Sequence, residues 1–130
     1  MEIKINAFGR NVTVIPKLFL YKTANAYGTP TVSLGIQLYS ENGPFATLTT
    51  SFGEFIGIKN AAYVDTNNCQ LFIDQLLPLG FAKDTGLRKT SGYCSYPLWL
   101  FTPEFLKECG EEEYKKYLNC YKTVVEDKLG

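Results

Sequence analysis

The stretch TVSLGIQLYSENGPFATLTTSF, residues 31–52, alternates apolar and polar side chains and then doubles back. Val32, Leu34, Ile36 and Leu38 fall on one face, and Thr31, Ser33, Gly35 and Gln37 on the other. A period of two marks a strand with one buried face, because successive side chains leave a pleated backbone in opposite directions. Asn42-Gly43 tolerates the positive φ of a tight turn, so FATLTTSF is expected to return as the hairpin partner. A chain organised around such a hairpin is β-rich.

Upstream, Ile3, Ile5 and Ala7 alternate, and the turn FGR leads into NVTVI, which reads as a second hairpin. Pro16 interrupts that run, so KLFLYK is expected to continue as an edge strand or to bend around it. Downstream, residues 53–60 read as loop and AAYVD as a short strand. In DTNNCQ, Asn67 is placed to cap a helix with Gln70 reaching back. Leu71, Phe72, Leu76 and Leu79 keep helical spacing until Pro78-Leu79-Gly80 ends it. AKDTGLRKTSG, residues 82–92, reads as a polar loop leading to the strand YCSYPLWLF, in which Pro97 marks an edge or a bulge.

Thr102-Pro103-Glu104 combines a cap, a first-turn proline and an acid at the positive dipole end, so a helical region opens there. Gly110 breaks or kinks it, and Tyr114, Tyr117, Leu118, Tyr121, Val124 and Val125 then form one stripe. Glu111–Lys115 and Glu112–Lys116 are spaced for ion pairs. The expectation is an α+β fold in a single domain, residues 1–130. It has a mostly antiparallel sheet of about five to six strands, a short capped helix, and a C-terminal amphipathic helix packed on one face.

Composition narrows the function. The 130 residues carry 13 basic and 13 acidic side chains, so no net field points to nucleic acid or an anionic membrane. Aromatics reach 15%, which favours a β-rich core or a contact surface. Histidine is absent, which removes Ser-His-Asp and Cys-His catalysis and every zinc site that uses imidazole. Cys69, Cys94, Cys109 and Cys120 show no C-x-x-C knuckle, so neither a metal nor another cofactor is expected. MEIKINAFGR lacks a signal-peptide core, and no apolar run approaches the roughly 20 residues of a membrane span. The expected setting is a bacterial host's cytoplasm, with reduced thiols.

Cys94 shares a strand face with Tyr96, Leu98 and Leu100 and reads as a small buried hydrophobe. Cys69, in the first turn of the expected helix, would have its thiolate favoured by the helix dipole, although no base accompanies it. Asp65, Thr66, Asn67 and Asn68 suit either local capping or ligand binding, with capping favoured. Lys83, Arg88 and Lys89 with two glycines offer an anion-binding nest, without P-loop spacing. The carboxylates Glu41, Glu54, Asp65, Asp74 and Asp84 show no sign of convergence as an acid–base pair.

AAYVDTNNC followed by SGYCSYPLWLF resembles an uncharacterised bacterial and phage domain family of unknown function, over roughly residues 30 to 101. ENGPFATLT fits the same family's hairpin. The matching positions are Asp65, Thr66, Asn67, Asn68 and Cys69, then Ser91, Gly92, Tyr93, Cys94, Tyr96 and Pro97. The resemblance implies a gene carried by phages, plasmids or conjugative elements, and it implies no reaction. It also suggests that the capped corner docks on the Pro-bearing strand and places Cys69 and Cys94 in one core. These features point to a non-enzymatic inhibitor that occludes a host defence protein, of anti-CRISPR or anti-restriction type. Its expected contact residues are Lys83, Arg88, Lys89, Tyr93, Tyr96 and Trp99. The alternatives are a small-ligand binder such as a nucleotide-signal sponge, and an enzyme acting through a cysteine. A homodimer through the Tyr-rich helix stripe is a further possibility.

Overall fold

Period-two patterning covers more of the chain than its clearest segment announces. The computed structural model describes residues 1–126. Its strands are β1 (Ile3–Ala7), β2 (Arg10–Ala24), β3 (Pro30–Ser40), β4 (Gly43–Thr47), β5 (Thr49–Thr50), β6 (Ala61–Val64), β7 (Ala82–Ser91) and β8 (Cys94–Phe101). Two helices follow, α1 (Pro103–Cys109) and α2 (Glu111–Tyr121), and a π turn extends the second over Lys122–Glu126. Residues 127–130 of the expected domain lie outside the described residues. The fold is α+β, with antiparallel strands in two sheets of four, β1-β2-β3-β4 and β5-β6-β8-β7, instead of one sheet of five to six.

The two sheets join around Leu48, and Thr49 beside it also bonds to Ile36 and Tyr21 of the first sheet. FATLTTSF divides into β4 and β5, with Leu48 between them. The Leu48 amide donates to Ile36 of β3 at 2.9 Å, and its carbonyl accepts from Asp65 beyond β6 at 2.8 Å. The core lies between the sheets and the helices. Val14, Leu34, Ile36 and Leu38 enter it from the first sheet, Ala62, Val64, Trp99 and Phe101 from the second, and Phe105, Leu106, Tyr114 and Tyr117 from the helices. Phe81 stacks on Phe105 with centroids 4.2 Å apart.

Pro16 does not interrupt β2; it is fully buried in a strand of 15 residues. The Ala24 amide and carbonyl both bond away from β3, to Gly53 and Phe55. Antiparallel parity puts the position of Pro16 on that same side, where β1 has already ended at Ile3 opposite Val14. The missing N–H therefore removes no ladder bond. Expected helix 67–79 is also corrected. It folds as turns with two short 3-10 segments, Ile73–Gln75 and Leu77–Leu79, and the acceptor at its start is Asp65 rather than Asn67. Asx-turn bonding competes with helix initiation, and Pro78 cannot continue an α-helix.

The expected loop 82–92 is mostly strand. β7 forms the outer edge of the second sheet, with a bulge between Asp84 and Arg88 and Gly86 at φ +86°. Charges and a bulge are what keep an exposed edge from pairing with another chain, and they also erase alternation from the sequence. The C-terminal reading holds more closely. Thr102 Oγ1 accepts from the Phe105 amide at 3.2 Å, and Gly110 separates the helices. The outer ion pair of α2 is Glu112–Lys115 at 3.6 Å, three residues apart instead of four. No helix among the described residues is long and apolar enough to cross a membrane.

Candidate functional site

Two sequence motifs distant in the chain converge on one groove. Gly92 at φ +62° and Tyr93 form the two-residue turn between β7 and β8, a turn that needs glycine at its first central position. Beside it lies the corner after β6. Asp65 carboxylate oxygens accept from the Asn68 amide at 3.2 Å and the Asn68 side chain at 2.7 Å, while the Asp65 carbonyl accepts from the Cys69 amide at 3.0 Å. Gln70 donates to the Asn67 carbonyl at 3.0 Å. The corner is thus rigid by its own bonding. Thr66, Asn67, Gln70 and Ile73 from it, with Tyr93, Cys94 and Ser95 from the hairpin, line an open groove of about 430 Å³. Every lining side chain is uncharged, and Tyr93 is as exposed as in an isolated peptide.

The cysteines separate. Cys69 is buried, whereas Cys94 opens β8 half-exposed on the groove and is not the core residue expected from alternation. The two motifs dock, yet only one of the two thiols enters the core. Burial, reinforced by the Asp65 charge, pushes the Cys69 thiol up to about 12, and burial with Glu108 does the same for Cys109. No α-helix starts at Cys69, so the dipole expected to favour its thiolate is absent. All four cysteines are free, and no three metal-ligating side chains gather among the described residues.

The remaining contact candidates are dispersed. Arg88 grips Asp84 with two bonds of 2.8 and 2.9 Å, and its guanidinium holds the Asp84 carboxyl below the usual range. Lys89 pairs with Glu54 at 2.7 Å and lies 5.1 Å over the Phe52 ring. An anion at the expected nest would have to displace a carboxylate from each. Lys83 stands exposed on β7, Ser91 is exposed at its end, and Pro97 is buried in β8. Tyr96 is half-buried against Phe52 at 5.4 Å. Trp99 is a correction: it lies in the core, because its place in register opposite Ala62 turns it inward. The Tyr stripe is consumed in the same way. Tyr114, Tyr117 and Tyr121 are buried within the chain, so the face expected to join two copies is already covered.

Those tyrosines define a feature that residue patterns did not disclose. Tyr114 donates to Asn60 Oδ1 at 2.9 Å, the Asn60 amide donates to the Tyr117 oxygen at 2.9 Å, and Tyr121 donates to the Gly57 carbonyl at 2.9 Å. Segment 51–60 is a strap fastened at this end by α2. At the other end Ala24 bonds it in both directions through Gly53 and Phe55, and the Glu54–Lys89 pair between them ties that end to β7 as well. Asn60 at φ +68° is the local signal, since Asn adopts this left-handed conformation more readily than most residues. Beneath the strap lies a cavity of about 180 Å³. Compared with protein-family models, curated proteins and solved structures, the chain matches none, so its chemistry rests on its own residues.

Proposed function

We propose that this chain works by binding, occluding a host defence protein of the CRISPR or restriction class on behalf of a mobile element. The observation that carries the reading is Tyr93, a rigid aromatic displayed without cover beside an uncharged groove. Interfaces draw most of their energy from a few such aromatics seated in pockets, with polar neighbours that exclude water. The corner and the type II′ turn hold both walls in place before contact, so little ordering entropy opposes association. Burial of the Cys69 and Cys109 thiols and the lack of any imidazole support a role without turnover.

The test is phage plaquing on hosts carrying defined CRISPR or restriction systems, with and without the protein. The expected result is a rise in plaquing against one system, lost in Tyr93→Ala, together with at least about tenfold weaker affinity for the purified effector. Unchanged plaquing against every system, with the protein soluble and abundant, overturns the proposal. So does full activity in the Tyr93→Ala variant.

A further inference from the structure

We infer that the cavity under the strap is a binding site for a small, neutral, single-ring molecule with a hydrogen-bonding edge, separate from the groove at Tyr93. Size sets the first limit. An engineered protein cavity of about 150 Å³ accepts benzene, and the space here is about 180 Å³. It holds one ring with a substituent and excludes a nucleotide.

Lining chemistry sets the second limit. Ser33, Thr50, Ser51 and Tyr63 bring hydroxyls, and Phe52, Phe55, Leu87 and Leu98 bring apolar walls. Glu54 is the one charged side chain on the lining, and Lys89 already neutralises it. A charged guest would lose its hydration without gaining a counter-ion. Ser33 donates to Thr23 at 3.3 Å and Ser51 accepts from the Gly53 amide at 3.2 Å. Among the described residues, no bond within the protein engages the Thr50 or Tyr63 hydroxyl, which leaves both available to a guest. Phe52 meets the Tyr63 ring edge-on at 5.4 Å, and Lys89 and Tyr96 pack on the same Phe52 ring, so the aromatic wall is fixed in place.

The strap explains why the space stays open. Its fastenings to Ala24 and Lys89 on the sheets and to Tyr114, Tyr117 and Tyr121 on α2 fix both its ends, so it spans the space over Leu98 without closing onto it.

Titrating the labelled protein with phenol, uracil and benzoate, followed by amide NMR shifts, tests the assignment. The expected result is saturable shifts with phenol or uracil, confined to residues 50–58, Tyr63 and Leu87, and none with benzoate. Thr50→Val should weaken binding about tenfold, the effect of one lost hydrogen bond. Leu87→Trp, altering a rim residue that is half-exposed, should abolish binding while the amide spectrum elsewhere stays native. Absence of saturable shifts at millimolar phenol and uracil overturns the inference. Equal binding of benzoate, or shifts centred on Tyr93, overturns it as well.

Discussion

Phe8 sits at φ +55° beside Gly9 at φ +74°, in the two-residue turn between β1 and β2, with its side chain in solvent. This is a type I′ turn, which Asn-Gly fills without strain, whereas a bulky β-carbon crowds the backbone there. Phe8→Asn is therefore expected to stabilise the protein by about 1 kcal/mol in urea melts, although it deletes an apolar side chain. A loss of stability would mean that the Phe8 ring holds the native turn. Asn60 is a different case, because its strain is matched by bonds to two tyrosines. Asn60→Gly keeps the conformation and loses one side-chain bond, and Asn60→Ala loses the bond and adds backbone strain. Melts should rank Ala below Gly by about 1 kcal/mol. Thiol accessibility differs as sharply. Iodoacetamide at neutral pH, read by peptide mass spectrometry, should label half-exposed Cys94 and Cys120 well before buried Cys69 and Cys109.

At the scale of elements, what decides legibility is whether an element's environment imposes one period. β3 is readable because Leu34, Ile36 and Leu38 face the core, and although its other face is buried as well at Thr31, Ser33 and Gly35, instead of exposed as expected, small and hydroxyl side chains there keep the alternation. β7 is not, since its outward edge is kept polar and bulged against unwanted pairing. The segment 66–79 has helix-like spacing because its turns bring Cys69, Phe72 and Leu76 inward three and four positions apart, whereas Leu71 and Leu79 of the expected stripe are exposed. Its Gln75 shows a further role. The side-chain amide accepts from the Asn6 amide at 2.8 Å and donates to the Asn6 carbonyl at 2.7 Å, closing the outer edge of β1 as another strand would. Helix α1 was announced by Thr-Pro-Glu and behaves accordingly. Thr102→Ala removes its cap and should cost about 1 kcal/mol in thermal or urea melts. A neutral outcome would show that packing of Phe105 and Leu106 alone sets the helix start.

For the whole molecule, buried thiols and phenols couple the fold to alkaline pH. Burial pushes the Cys69 and Cys109 thiols up to about 12 from an ordinary 9.0, and it raises Tyr117 and Tyr114 as well. Above pH 9 the unfolded chain gives up protons that the native state keeps, so unfolding is favoured by each further unit. Stability should be level from neutral pH to about 9 and then fall toward 12. Urea melts between pH 7.5 and 10.5 check this, and replacing Cys69 and Cys109 by alanine should flatten the slope whatever it does to stability at neutral pH. The amino-acid sequence by itself determined the class of fold, the first hairpin, the cap at Thr102 and the break at Gly110, because each is set by patterns among near neighbours, and its composition alone removed imidazole chemistry. Only the tertiary structure decided that Trp99 and the tyrosines face inward, that Arg88 and Lys89 are neutralised, and that segment 51–60 spans a cavity. Those outcomes depend on register between strands and on partners up to 64 residues apart in the chain, which no local period encodes.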